Sequence, residues 1–305
     1  VSNKFLYNQY STFIKKHFGE RVQKISLDGG FTCPNRDGTV GIGGCTFCNN
    51  DSFSTATKFR GKSITWQIDN AINRIGKRYQ TNKYIAYFQT YSNTYGKIEQ
   101  LKSLYEEAIK HPQIVGISIG TRPDCVNDEI LDYLETVSKR CFLTIEYGIE
   151  SFENETLKRI NRGHLTETST NAIIATSKRN INICAHMIIG LPGENIDTWV
   201  GAAKTISTLP ITFLKLHNLE IIKGTAIAEE FIQNSWKLQT FDEYVDSIIL
   251  FLEYLNNNIV IERLFDYSPS EMCIAPAWHY DYTTMVNKLR FIMEQRKTYQ
   301  GRHYK

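Results

Sequence analysis

The sequence has no long apolar run. The longest, Ile248 to Leu252, falls far short of the roughly 20 residues that span a bilayer, so no membrane partner is expected. The first ten residues lack the apolar core of a secretory signal, which makes a cytoplasmic protein the expectation. Short-period repeats and low-complexity tracts are absent too, so an array of small repeats is excluded. Charge of one sign is scarcely in excess: 35 Lys and Arg stand against 32 Asp and Glu, giving +3, and the pI is about 8.4. That balance permits a nucleic-acid partner without establishing one. Cysteine is sparse and odd in number, seven in all. An odd count without a secretory signal argues for a reducing compartment and against a disulfide framework. What remains is an ordinary globular composition, 42% hydrophobic and 22% charged, in a 305-residue chain that needs no covalent staple to fold.

Three of the seven cysteines lie within the sixteen residues from Cys33 to Cys48, in a loop containing Gly38, Gly41, Gly43 and Gly44. Such a loop lets thiols converge on one point, as a metal site requires. Structural zinc takes four protein ligands, whereas a [4Fe-4S] cluster held by three thiolates leaves one iron open. Cys125, Cys141, Cys184 and Cys273 are scattered singly, so none is an obvious fourth ligand. Zinc completed by a distant histidine such as His17 is the competing reading. The glycines do not form the GxGxxG that opens a dinucleotide-binding helix.

Strand-like and helix-like segments alternate about every thirty residues, the pattern of βα units around a parallel sheet. Strands are expected at 21–27, 84–89, 114–119, 141–147, 181–189 and 213–219, with helices between them. One such helix starts after an N-cap at Asn127. Six units predict a partial (β/α)6 barrel over 21–225, open on one side, after an N-terminal lead-in at 1–20. Residues 226–305 read as a mainly helical C-terminal extension docked on the barrel, with helices at 241–256 and 282–299 and a further strand at 259–265.

Ligands of parallel α/β folds sit beyond the carboxyl ends of the strands. In turn these ends deliver the cysteine loop, then Gln89 and Thr90, then Arg122, then Glu146 and Glu150, then His186, and finally His217 and Asn218. The tail beyond Lys288 is basic, with Arg296 and Lys297 at its centre and aromatic residues interleaved, and reads either as a solvated helix or as a phosphate-contacting surface.

The ordered set formed by the cysteine loop, Gly120-Thr-Arg-Pro-Asp124, Glu146-Tyr-Gly-Ile-Glu-Ser151, Leu157 to His164, Ile189-Gly-Leu-Pro-Gly-Glu194 and Gly224-Thr225 resembles the Elp3-like branch of radical S-adenosylmethionine (SAM) enzymes. Within it the chain is similar to the bacterial YhcC/YtqA (MnmL) family over nearly its whole length. The resemblance implies that Cys33, Cys45 and Cys48 hold a [4Fe-4S] cluster that cleaves SAM to methionine and a 5′-deoxyadenosyl radical, with Glu146 as a further catalytic candidate. It places Phe47 near the adenine, Gln89 and Thr90 near the methionine amino group, and Glu150, Arg162 and His186 at the carboxylate and ribose. Arg122 and Leu219 complete the expected cofactor shell. Glu150 and His186 stand where many relatives have Gln and Asp, and eleven residues between the first two cysteines is a longer spacing than usual.

The same resemblance implies a tRNA substrate, with the carboxymethyl group of a 5-carboxymethylaminomethyl(-2-thio)uridine at the wobble position removed to leave the aminomethyl form. A flavodoxin- or ferredoxin-type protein would supply the electron. Arg263, Trp278, Arg296 and Lys297 are the substrate candidates, for the carboxylate or the anticodon phosphates. The alternatives are radical SAM chemistry on a protein or small metabolite, and a zinc-stabilised binding module without turnover.

Overall fold

The computed structural model describes residues 6–234 and 236–305, so the first five residues of the expected lead-in lie outside it. Seven strands form one parallel sheet in strict chain order: β1 (Gln23–Leu27), β2 (Tyr84–Phe88), β3 (Ile114–Thr121), β4 (Phe142–Glu150), β5 (Asn182–Ile189), β6 (Phe213–Asn218) and β8 (Val260–Arg263). A short antiparallel pair, β7 (Ile221–Ile222) with β9 (Cys273–Ala275), lies outside it. The sheet curls into a partial barrel whose edge strands, β1 and β8, are not hydrogen-bonded to each other.

The helices follow in order: α1 (Tyr10–Phe18), α2 (Asn50–Phe53), α3 (Ile64–Tyr79), α4 (Ile98–Lys110), α5 (Asp128–Ser138), α6 (Asn154–Arg159), α7 (Thr166–Ser177), α8 (Ile196–Thr208), α9 (Ala226–Asn234), α10 (Phe241–Tyr254) and α11 (Tyr282–Gln295). Local chemistry sets their starts. Asn127 accepts a hydrogen bond from Ile130 N, and Asn195 and Thr240 form reciprocal capping boxes with Thr198 and Glu243. The central strands are covered by helices, so β2, Tyr-Ile-Ala-Tyr-Phe, is buried at every position, as a parallel strand requires.

Three features differ from expectation. The strand expected at 259–265 pairs with β6, so a seventh strand from the C-terminal part completes the sheet. The last helix stops at Gln295, because Lys297 turns into the left-handed region (φ 51°) and Thr298 N bonds back to Met293 O. The lead-in contains α1, whose Tyr10 and Phe13 pack on Phe142 and Phe213, at the starts of β4 and β6. This helix therefore closes the amino-terminal end of the barrel and leaves the carboxyl ends of the strands for the site.

Candidate active site

The loop after β1 is a chain of tight turns. Arg36 N and Asp37 N both bond to Cys33 O, Cys48 N bonds to Cys45 O, and Gly44 N bonds to Asn35 O. Gly44 has φ +87°, and a Cβ there would lie 2.9 Å from Arg36 Nε, so the turn demands glycine. Thr46 ties the loop to the barrel by donating to Ile160 O and accepting from Ile227 N. The result is that Cys33, Cys45 and Cys48, none of them in a disulfide, line one cavity at the strand ends.

Polar hydrogens converge on these sulfurs. Arg162 Nη1 lies 3.4 Å and Asn35 Nδ2 3.6 Å from Cys45 Sγ, while Asn50 Nδ2 lies 3.8 Å from Cys48 Sγ. Burial, and then the neighbouring Cys45, push the Cys48 thiol up to about 11. The Cys48 thiol therefore stays protonated on its own and ionises when a cation beside it neutralises the charge. Buried donors are also left without partners: Arg162 Nε, Arg122 Nη1 and the hydroxyl of Thr90. Three thiols, donors aimed at sulfur and spare buried donors fit a cluster with an anionic ligand beside it. His17, by contrast, packs on Phe142 at the opposite end of the barrel, which removes it as a fourth ligand.

Around the cavity, Arg162 donates to Gly148 O and faces Glu150 at 3.6 Å. Burial raises the Glu150 carboxyl, and Arg162 offsets part of that effect. Arg122 grips Asp124 through two bonds of 2.8 and 2.7 Å. Burial alone would raise Asp124, but Arg122 outweighs it and holds the carboxyl below its usual value. Phe47 and Leu219 form an apolar wall with Leu157 and Ile188. Gln89 lines the cavity, whereas Thr90 lies buried behind it.

Beneath this layer sits an ionic network that the sequence did not reveal. Glu146, 1% exposed, receives Lys24 at 2.6 Å, His186 Nε2 at 2.8 Å, Lys215 and the Ser118 hydroxyl. Lys24 and Lys215 also reach Glu262, at 2.7 and 3.1 Å. Burial favours a neutral Glu146, but the two ammonium groups prevail and hold its carboxyl well below the usual range. His186 moves the other way: burial, then the Lys215 cation, lower it to about 4, so the ring is neutral near pH 7. The carboxylate accepts from Nε2–H, leaving Nδ1 as the acceptor. Cys184 also approaches Glu146 and His186 at metal-ligand spacing. Two lysines already neutralise that carboxylate, so a cation gains little there.

A second polar group lines the same cavity. Asp266 accepts from Arg263 Nη1 and pairs with His217 Nδ1, both at 2.7 Å, and Asn218 Oδ1 accepts from its backbone N. Burial opposes the Asp266 charge, yet His217 and Arg263 keep it ionised far below the usual range. His217 Nε2 is buried without a partner, and the ring lies 5.2 Å from that of His186. Arg263 is therefore brought to the site, whereas three other substrate candidates are not. Trp278 packs on Phe241 and Tyr244 and donates to Gln239 O. Arg296 pairs with Asp246 on the outer helices. Lys297 precedes a tail fixed by Gln300 to Asn256 and Ile259, where the chain enters β8 at the end away from the cysteines.

Comparison with known proteins agrees with this arrangement. Residues 33–206 match the radical SAM superfamily, and residues 211–295 match the radical SAM C-terminal domain. The chain is 33% identical to YtqA of Bacillus subtilis over 298 residues, covering 98% of this chain and 92% of that protein. It is 32% identical to YhcC of Escherichia coli over 291 residues, covering 95% and 93%. A shorter match, 29% over 155 residues, links half of this chain to 28% of the tRNA uridine(34) acetyltransferase of Methanocaldococcus infernus. Among solved structures, the Elp3 of Methanocaldococcus infernus shares the fold with a TM-score of 0.71 at 16% identity, over 92% of this chain and 64% of that one. No helix among the described residues is long and apolar enough to cross a membrane. With a three-cysteine loop at the strand ends of a partial barrel, and matches spanning nearly its full length, the chain belongs to the radical SAM superfamily, whose members bind a [4Fe-4S] cluster and SAM.

Proposed function

We propose that this radical SAM enzyme acts on tRNA, removing the carboxymethyl group from 5-carboxymethylaminomethyl(-2-thio)uridine at the wobble position to leave the aminomethyl form. The observation that carries the reading is the second polar group: Arg263 and the His217–Asp266 pair line the same cavity as the three cysteines. A side chain ending in a secondary amine and a carboxylate meets both needs of that group. The guanidinium takes the carboxylate, and the unpartnered Nε2 takes a proton from the amine. The partial match to a tRNA uridine(34) acetyltransferase points to the same base.

In this reading Cys33, Cys45 and Cys48 hold the cluster. Phe47, Gln89, Arg122, Glu150, Arg162, His186 and Leu219 form the SAM site, with Thr90 supporting it from behind. When bound, the cluster and SAM would supply hydrogen-atom abstraction from the methylene between amine and carboxylate, with the electron coming from a flavodoxin- or ferredoxin-type donor. The substrate radical then gives up one electron, returned to the oxidised donor, and its amine proton to His217, and water hydrolyses the resulting imine to the aminomethyl base and glyoxylate. The chain's own work is positional. Arg162 donates to Cys45 and faces Glu150, so one guanidinium fixes both a thiolate and the carboxylate beside the ligand. Glu146 acts through His186, holding its tautomer, because its two oxygens already receive Lys24, Ser118, His186 and Lys215. The apolar wall of Phe47 and Leu219 keeps water from the reacting carbon. In a strain lacking the gene, tRNA should accumulate the carboxymethylaminomethyl nucleoside at the expense of the aminomethyl one. Wobble uridines unchanged by the deletion would sink the proposal.

A further inference from the structure

The seam between β1 and β8 opens as a groove of about 1440 Å³. That exceeds the roughly 300–1,000 Å³ of small-molecule pockets, so the groove has room for an occupant larger than a metabolite. The groove begins at α1 and meets the cavity of the cysteines at Phe53, Tyr87, Gln89, Lys215 and Arg263, which line both. The ion pair between Lys24 and Glu262 bridges the seam lower down, so the passage lies toward the carboxyl ends of the strands.

Two properties of the lining identify what fits it. Its lining holds six cationic side chains and two carboxylates, Glu20 and Glu262; Lys24, Lys215 and Arg263 are also bound to Glu146 and Asp266 of the cavity, which leaves exposed Lys15, Lys16 and Arg21 as the cations open to a ligand. Both carboxylates are already paired, Glu20 with Lys83 and Glu262 with Lys24 and Lys215. The groove thus concentrates positive charge in a chain whose net charge is only +3. Aromatic rings stand out beside it, with Phe53, Tyr267 and Tyr282 exposed by 42%, 63% and 40%. Cations that track a backbone, interleaved with open ring faces, are the chemistry of single-stranded nucleic acid. An acidic polypeptide would satisfy the lysines and leave the rings without planar partners.

We propose that this seam is where the RNA enters. Unpaired nucleotides of an anticodon loop lie along it, with phosphates against Lys15, Lys16 and Arg21 and bases stacked on Tyr267 and Tyr282, and one nucleotide turns through the seam into the cavity. The inference rests on the tRNA reading for the class of substrate, and it assigns the binding face that the basic tail does not provide.

The test is fluorescence anisotropy of a labelled anticodon stem–loop RNA with anaerobically reconstituted holoenzyme, across a salt series. Lys15→Ser with Lys16→Ser should flatten the slope of log affinity against log salt by about 1.4, since each single-strand phosphate contact contributes about 0.7. Tyr267→Ala with Tyr282→Ala should weaken binding by about 30-fold or more at fixed salt, leaving the slope unchanged. Arg296→Ser with Lys297→Ser, outside the lining of the groove, should change neither. RNA binding by the parent that both groove variants retain in full overturns the seam as the entrance and leaves the tRNA reading standing. A holoenzyme with no salt-dependent affinity for the stem–loop overturns the tRNA reading itself.

Discussion

Replacing Lys215 by methionine probes the ionic network under the site. Lys215 is 3% exposed, and its ammonium group is shared between Glu146 and Glu262. Methionine preserves the stem and removes the charge, leaving two buried carboxylates for the single cation of Lys24. Removing one partner of a buried pair typically costs 3–5 kcal/mol. At about 2 °C per kcal/mol for a chain of this size, the melting temperature should fall by roughly 6–10 °C at pH 7. The pH dependence gives the sharper test. A depressed carboxyl stabilises the fold above its unfolded value and loses that contribution as pH falls through the folded one. In the variant, burial pushes Glu146 back up, so it takes a proton sooner and the deficit should shrink below about pH 4.5. Adding Glu262→Gln restores charge balance and should recover part of the loss. Calorimetry of the three proteins from pH 7 down to the acid limit decides the matter. A deficit under about 1 kcal/mol, or one that grows with acidity, would refute the network as described.

Cys45→Ala should lose iron and all SAM cleavage while melting within about 2 kcal/mol of the parent, since only a sulfur is removed from a folded loop; iron content and 5′-deoxyadenosine assays check this, and retained cleavage contradicts it. His186, lowered to about 4 by burial and Lys215, binds protons more readily in the unfolded chain between that value and about 6.5. The fold should therefore lose up to about 3 kcal/mol from this group as pH drops across that window. His186→Gln should abolish that slope in urea titrations, and an unchanged slope would count against a neutral buried imidazole. His217→Gln should reduce kcat on modified tRNA about a hundredfold or more while leaving RNA affinity within twofold, because it removes a proton acceptor and not a phosphate contact; equal losses in both would show a structural role.

Much of this arrangement was legible in the chain. Alternating apolar strands and amphipathic helices placed β1 to β6 within a few residues, and the rule that ligands gather at strand ends brought Gln89, Arg122, Glu150 and His186 together with the cysteines in advance, while Arg263 came from the family resemblance alone. The misses share a cause: long-range pairing leaves little local signal. Val260–Arg263 looked like part of an appended unit because nothing nearby names β6 as its partner. Lys24 and Lys215 lie within strands without a motif to mark them, although both point into the barrel toward Glu146. A lysine inside Phe213-Leu-Lys-Leu-His-Asn was the available clue, since such a strand is covered on both faces. The basic tail was conspicuous in composition, but Gln300 fastens it where β8 begins, and position outweighs charge.

The most direct measurement is turnover by the reconstituted holoenzyme under strict anaerobiosis, with SAM, a low-potential reductant and tRNA bearing 5-carboxymethylaminomethyluridine. The account predicts that methionine and 5′-deoxyadenosine appear together, that their formation rises when this tRNA is added, and that the aminomethyl nucleoside replaces the carboxymethylaminomethyl one. SAM cleavage indifferent to the tRNA, with the modified uridine intact, would contradict it.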